Sequence, residues 1–116
     1  MTDQTPLNAD AFSRRAAIYI RQAVLDDEAL GSALSTCRRL AAQANCIIVG
    51  EYKDIGVSGN TPAASRVGLA QVLTLAEQQQ IDTIISPGIH HLGRRGELLQ
   101  DLIEHLTAVN VQPIFS

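Results

Sequence analysis

The segment "GIHHLGRRGE" (88–97) holds the densest group of side chains that can do chemistry: His90 and His91 are adjacent, and Arg94 and Arg95 follow after a glycine. Imidazole can bind a metal or transfer protons, and guanidinium groups bind phosphate in a bidentate manner. A metal site needs ligand atoms that converge on one ion, and adjacent side chains usually point apart. The third histidine of the chain lies well along a later helix. We therefore expect no metal and no cofactor, and a phosphate site remains open as an interpretation.

The elements that would position these residues alternate along the chain. Short apolar segments predict four strands, at 16–20, 46–52, 82–86 and 111–115. Amphipathic segments between them predict three helices: one that starts in the acidic run 26–28, one capped by Ser65, and one over 95–109. The stretch 53–65 has two glycines, a proline and no periodicity, which is typical of a long functional loop. Pro113 cannot donate to a strand ladder, so the last strand is expected at a sheet edge.

The order β-α-β-α-β-α-β predicts an α/β fold, with a small, mainly parallel four-stranded sheet and helices on both faces. In such sheets, ligands bind beyond the carboxyl ends of the strands. Arg21, the loop 53–65 and the segment 88–95 all follow a predicted strand. We therefore expect them to meet at one edge of the sheet, where they would form the candidate site.

Composition limits the classes of function. The chain has 116 residues, enough for one domain, and 46% are hydrophobic but only 3% aromatic, which predicts an aliphatic core. No run is apolar enough for a membrane span and no secretory signal is visible, so a cytoplasmic protein is expected. Cys37 and Cys46 are predicted to be free, buried thiols. The net charge is −3, although eight of the nine cations are arginine. Such a surface predicts DNA binding that is weak at best, with a local phosphate site still possible.

Four landmarks in order and at matching spacing resemble the N-terminal catalytic domain of the serine recombinases, the family of resolvases, invertases and large serine integrases. In that family the first strand ends in Tyr-x-Arg-Val-Ser, and here it ends "YIRQA" (19–23). The family loop Tyr-x-Asp-x-Gly-x-Ser-Gly matches "EYKDIGVSG" (51–59) at every position. Asp-Arg-x-Gly-Leu is similar to "SRVGL" (65–69), and Leu-Asp-Arg-Leu-x-Arg to "IHHLGR" (89–94). The resemblance covers residues 16–116.

The departures from the family concern the catalytic positions. In the family, the serine that ends the first strand attacks a DNA phosphodiester and becomes covalently linked to it, and arginines stabilise the charge that builds on the phosphate. Ala23 stands at the serine position, and a methyl group cannot attack phosphorus. His90 and His91 replace the Asp-Arg pair, and Cys37 replaces a glutamine of the first helix. An imidazole is mostly neutral at pH 7, so His91 does not replace a fixed guanidinium.

The resemblance also implies which residues of the phosphate site are retained. Arg21, Arg66 and Arg94 match family arginines that contact the phosphate. Ser58 and Ser86 are the other hydroxyls near the expected site, and neither matches the family nucleophile. The sequence therefore predicts a phosphate pocket without its nucleophile.

The predicted organisation is a loose leader at residues 1–15 and a resolvase-like domain at residues 16–116, without the dimerisation helix and DNA-binding domain that follow in the family. We accordingly expect a monomer or weak dimer that has no membrane partner. The preferred function is a recombinase-like domain without strand cleavage, as an interaction or regulatory module or a mobile-element relic. Its partners would be the DNA phosphate backbone or a homologous recombinase subunit. Two alternatives remain: a working site-specific recombinase that uses another group or a partner subunit, and a general α/β anion- or nucleotide-binding module.

Overall fold

The computed structural model describes residues 13–94 and 96–116. Most of the predicted leader and Arg95 therefore lie outside the described residues. Strand β1 begins at Arg14, two residues before the predicted start of the first strand. In the described part of the chain, no helix is both long enough and apolar enough to cross a bilayer.

Four strands alternate with three helices, as the sequence pattern predicts. The strands are β1 (Arg14–Gln22), β2 (Cys46–Ile55), β3 (Thr83–Ser86) and β4 (Gln112–Phe115). The helices are α1 (Asp27–Gln43), α2 (Val67–Glu77) and α3 (Glu97–Ala108). Strand β2 is longer than predicted and residues 63–65 form a 3₁₀ turn, so the irregular part of the predicted loop shrinks to residues 56–62.

All strand pairs of the sheet are parallel, in the order β2-β1-β3-β4. The predicted parallel sheet is confirmed, and β4, which contains Pro113, lies at its edge as expected. In the register, Arg21 lies opposite Asp54 and Ser86 opposite Phe115. The carboxyl ends of all four strands therefore lie along one edge of the sheet.

The core has two layers because side chains of the central strands alternate between the faces of the sheet. Ala17 and Tyr19 of β1 pack with α2 and α3 on one face. Ala16, Ile18 and Ile20 pack with α1 on the other. Helices thus cover both faces, as predicted, and β1, whose residues 16–20 are buried, ends at the candidate site.

The starts of the first two helices differ in how they are capped. Asp26 caps α1, since its Oδ1 accepts a hydrogen bond from Ala29 N at 3.0 Å, which agrees with the predicted acidic start. The prediction that Ser65 caps α2 is wrong. Ser65 lies in the 3₁₀ turn, Arg66 occupies the N-cap, and no cap side chain donates or accepts there. The first free N–H groups of α2 are instead bound by Asp54 of β2, a partner that is distant in sequence.

Candidate functional site

The candidate site lies where β1, β2 and β3 end, and backbone hydrogen bonds join the segments that leave these strands. Gly56 N and Val57 N both donate to Gln22 O, at 2.7 and 3.3 Å, so the loop after β2 begins beside the end of β1. Gly56 has φ +76°, a conformation that glycine adopts without strain. Ala23 follows Gln22 directly and is exposed. The position at which the resemblance places the family nucleophile therefore lies at the open edge of the sheet, beside this loop.

Arg21 ties the loop after β2 to the segment after β3. Its Nη1 donates to Val57 O at 3.0 Å and its Nη2 to His90 O at 2.9 Å. Its Nε is buried and has no hydrogen-bond partner among the described residues. Burial, followed by the positive charge of Arg66, lowers the pKa of Arg21 from its ordinary value, and the charge of Arg94 acts in the same direction. The site therefore concentrates positive charge.

Arg66 is buried, with only 2% of its surface exposed. Its Nε donates to Thr61 O at 3.0 Å and its Nη2 to Gly59 O at 3.0 Å. Its Nη1 donates to Leu92 O at 2.7 Å and to His91 O at 3.3 Å. One guanidinium group thus joins residues 59–61 to residues 91–92 through backbone carbonyls.

Arg94 meets the other two arginines at Gly59. Its backbone N–H donates to Gly59 O at 3.3 Å. A Cβ atom built on Gly59 would lie 2.9 Å from Arg94 Cγ and 3.2 Å from Arg21 Nη2. Unlike Arg66, Arg94 is exposed. The structure therefore brings together the three arginines that the sequence singled out, and Gly59 provides the space for their approach.

The two histidines lie beside this cluster, with ring centroids 4.5 Å apart. His91 Nδ1 accepts a hydrogen bond from Arg21 N at 3.0 Å, a role that a protonated imidazole cannot fill. Burial, and then the charges of His90 and Arg21, lower the pKa of His91 from 6.5 to about 4. His91 is therefore a neutral hydrogen-bond acceptor near pH 7 and adds no fixed positive charge to the site.

The serines near the site differ in accessibility. Ser86 is fully buried, and its hydroxyl donates to Tyr19 O at 2.8 Å. A group held in this way cannot reach a DNA phosphate without opening the core. Ser58 is exposed, and its Oγ accepts a hydrogen bond from Asn60 N at 3.1 Å within a local turn. Ser58 is therefore an accessible hydroxyl of the loop after β2.

Sequence reasoning did not assign roles to Asp54 and Tyr19. Asp54 is buried and accepts hydrogen bonds from Tyr19 Oη at 2.7 Å, Gly68 N at 2.7 Å and Leu69 N at 2.9 Å. Gly68 is needed there because a Cβ atom would lie 2.7 Å from Lys53 O. The sequence does contain a signal for the contact between Tyr19 and Asp54. A tyrosine in an apolar strand needs a partner for its hydroxyl, and Asp54 is part of the family loop pattern. The Asp54 carboxylate anchors α2, and with it Arg66, to the end of β2.

Two other predictions concern metal ligands and thiols. Within residues 13–94 and 96–116, the structure places no group of three or more His, Cys, Asp and Glu side chains where they could hold a metal ion. Cys37 is fully buried and both cysteines are free, although Cys46 is only half-buried. Burial raises the pKa of the Cys37 thiol to about 11, which suits a core residue and not a reactive one.

Comparison with known proteins agrees with this geometry. The family described as "Resolvase, N terminal domain" matches residues 16–115. The catalytic domain of ISC1926 TnpA, an IS607-like serine recombinase, is 25% identical with a TM-score of 0.77, over 87% of this chain and 68% of that one. The catalytic domain of TP901-1 integrase has a TM-score of 0.78 at 18% identity, over 88% and 77% of the two chains. A resolvase family recombinase from Streptococcus pneumoniae has a TM-score of 0.67 at 15% identity, over 89% and 72%. No curated protein matches the sequence.

The parallel sheet order and the family match together indicate an α/β domain of the site-specific recombinase type. The family match covers nearly the whole chain, so this chain belongs to the resolvase N-terminal domain family. The resemblance noted in the sequence is confirmed.

Proposed function

We propose that this domain binds DNA weakly through phosphate groups at the carboxyl edge of the sheet and does not cleave the strand. It would act as a recombinase-type module that associates with DNA or with a homologous recombinase subunit. The observation that carries this proposal is Ala23, which stands exposed at the end of β1 where the family has its nucleophilic serine. Losing the nucleophile from a cooperating site typically slows a reaction by several orders of magnitude.

The surroundings of Ala23 support the same conclusion. Charge that builds on a phosphate in the transition state needs fixed donors and cations around it. His91 is neutral near pH 7, and its Nδ1 is occupied by the Arg21 backbone N–H. The Arg66 guanidinium is bound to backbone carbonyls. His91 thus offers no fixed charge and Arg66 no free donor to the charge that builds on a phosphate, which supports the proposal that the domain does not cleave the strand.

Weak binding is expected because the positive charge of the site is opposed by the net negative charge of the whole chain. Arg21, Arg66 and Arg94 meet at one edge, but the whole chain carries a net charge of −3. Long-range attraction of DNA by the domain is therefore small, and screening by salt reduces the local attraction further. We expect binding that is detectable at low ionic strength and lost near physiological salt.

The test is a salt titration of a fluorescein-labelled DNA duplex followed by anisotropy. The proposal predicts affinity that falls steeply as salt rises and that does not depend on DNA sequence. Tight, sequence-selective binding at moderate salt would contradict it, and so would the absence of binding at low salt.

A second candidate function is a working recombinase that uses another hydroxyl or a partner subunit. One observation favours it: Ser58 is exposed, and the carbonyl of its neighbour Val57 accepts a hydrogen bond from Arg21. A Ser58→Ala variant separates the two functions. A protein-linked DNA product formed by the unaltered chain and abolished in Ser58→Ala would establish the second candidate.

A further inference from the structure

We propose that the side of β2 that faces away from β1, the outer edge of β2, pairs with the same edge of a second copy of this chain. The two strands would run antiparallel about a two-fold axis at Tyr52, so that two sheets join into one. In this register Glu51 of each copy faces Lys53 of the other. The proposal does not depend on DNA binding or on the arginines at the carboxyl edge of the sheet.

Strand β2 has the features of a pairing surface. It lies at one end of the sheet order, so within the described part of the chain only β1 pairs with it. Its ten residues include no proline, and four apolar side chains are 36–46% exposed: Ile47, Ile48, Val49 and Ile55. An edge strand leaves a row of N–H and C=O groups unpaired, and a long apolar edge is a template for another strand. The outer edge of β2 therefore offers both backbone and apolar groups to a partner.

The residues whose backbone faces outwards follow from the hydrogen bonds to β1. Gly56 N, directly after β2, donates to Gln22 O at 2.7 Å, so position 56 faces β1. Backbone groups of successive residues in a strand point to opposite sides, so positions 52 and 54 also face β1. Glu51, Lys53 and Ile55 therefore direct their N–H and C=O groups towards the outer edge.

Charge selects one register for the antiparallel pair. A two-fold axis at Glu51 or at Lys53 would place like charges directly opposite, which is destabilising. An axis at Gly50 or Asp54 would place each charge opposite an apolar side chain. With the axis at Tyr52, Glu51 stands opposite Lys53 of the second copy on both sides of the axis. Both residues face outwards, so each of these pairs can exchange two N–H···O bonds.

The side chains near this axis leave room for a second strand. The Tyr52 ring lies along its own strand, since a Cβ atom on Gly50 would lie 2.9 Å from its Oη. Gly50 has no side chain and stands opposite Asp54 of the second copy, so pairing places nothing against this buried carboxylate. Val49 and Ile55, which are 46% and 39% exposed, stand opposite each other. Pairing would therefore cover exposed apolar surface and leave the core in place.

The Glu51 carboxylate is held in place without the second copy. Arg38 of α1 donates to it through Nε at 2.8 Å and through Nη2 at 2.9 Å. A side chain that is already fixed loses less entropy when a second cation approaches. Pairing along one strand is nevertheless a small contact compared with the about 1,200–2,000 Å² of stable complexes. We therefore expect a weak dimer that dissociates at low micromolar concentration.

Disulfide formation at position 52 tests the axis and the register. The variants are made in a Cys46→Ser background, because Cys46 is free and half-buried. Tyr52→Cys places two thiols at the axis, where the Cα atoms of such a non-hydrogen-bonded pair are about 4.5 Å apart, within reach of a disulfide. Mild oxidation with diamide should therefore give a covalent dimer. Ile55→Cys is the matched control on the same strand, because its two copies lie on opposite sides of the axis, beyond the about 7 Å limit of a disulfide.

A second pair of variants retains Tyr52, which is half-buried and whose loss could impair folding. Glu51→Cys and Lys53→Cys should each stay monomeric when oxidised alone, because their own copies are diagonal neighbours at about 7–8 Å. A mixture of the two should give a mixed disulfide dimer, because positions 51 and 53 stand opposite each other at about 5.5 Å.

Sedimentation velocity across a concentration series measures association of the unaltered chain. We expect dimers at high micromolar concentration, their loss in Lys53→Glu, which places like charges opposite each other, and their retention in Lys53→Arg. A chain that stays monomeric throughout the series would overturn the proposal, and so would Ile55→Cys forming disulfides as fast as Tyr52→Cys. Association that Lys53→Glu leaves unchanged would place the contact on another surface and would overturn it as well.

Discussion

Replacing Asp54 by alanine tests the contact that anchors α2 to the end of β2. The Asp54 carboxylate, 6% exposed, accepts hydrogen bonds from Tyr19 Oη, Gly68 N and Leu69 N, all between 2.7 and 2.9 Å. In Asp54→Ala the Tyr19 hydroxyl loses its acceptor within the core, and α2 loses the group that binds its first N–H donors. A buried donor without a partner costs about 1–3 kcal/mol, and a lost helix cap about 0.5–2 kcal/mol. We expect the free energy of unfolding to fall by about 2–4 kcal/mol.

Urea unfolding followed by circular dichroism measures this loss. Tyr19→Phe is the matched control, because it removes the hydroxyl group that Asp54→Ala leaves without an acceptor. In the Tyr19→Phe background, Asp54→Ala should therefore cost less than in the unaltered protein, by about 1 kcal/mol or more. A loss below about 0.5 kcal/mol for Asp54→Ala alone would refute the account, since it would mean that water or a rearranged helix start satisfies all three donors.

The remaining predictions concern the histidine pair, a glycine contact and the catalytic position. Because burial, with the charges of His90 and Arg21, lowers the pKa of His91 from 6.5 to about 4, the unfolded chain binds the extra proton between these values. Stability should therefore fall as the pH drops from about 6.5 to about 4. Thermal unfolding should show this dependence reduced most in His91→Gln and less in His90→Gln, which removes one charge that lowers the pKa of His91 but not its burial. Gly68→Ala should destabilise by about 1–3 kcal/mol in urea unfolding, because its Cβ would lie 2.7 Å from Lys53 O. Gly31→Ala, in α1 with no atom within 4 Å of the added Cβ, should be neutral or stabilising; equal losses in both would contradict the contact. Ala23→Ser alone should not restore cleavage of supercoiled plasmid, and Ala23→Ser, His90→Asp, His91→Arg should give trace cleavage at most; robust cleavage by Ala23→Ser alone would mean that His90 and His91 are competent catalytic residues.

The architecture of this domain is predictable from local sequence patterns. Apolar runs and helical spacing predict the order of elements, and Pro113 predicts an edge position that the sheet order confirms. Asp26 caps α1 through a residue only three positions away, an interaction that the local sequence contains in full. Such features are recovered because their physical causes lie within one turn or one strand.

The start of α2 shows why other features could not be predicted. Ser65 has the right residue type and spacing for a cap, but the chain forms a 3₁₀ turn there and the N–H groups are bound by Asp54, in another element. That partner depends on how β2 packs beside α2, which no local pattern records. The competition between a nearby and a distant acceptor is decided by tertiary structure.

The arginines illustrate the same limit within the site. Their convergence follows from the parallel topology, because each arginine lies on a different segment at the carboxyl edge of the sheet. The difference between Arg66 and Arg94 does not follow from it, since it depends on which carbonyls of residues 59–61 and 91–92 face each guanidinium. Residue type therefore predicts where positive charge collects, and the hydrogen bonds distinguish the buried arginine from the exposed one.

The proposed absence of strand cleavage can be tested by looking for a covalent protein–DNA product. The full chain is incubated with supercoiled plasmids that carry candidate sites, and the products are separated on denaturing gels with and without protease treatment. We expect no nicked DNA and no protease-sensitive shift, because Ala23 has no nucleophilic atom and Ser86 is buried. A nicked product linked to the protein would contradict the account, and its loss in Ser58→Ala would identify the group responsible.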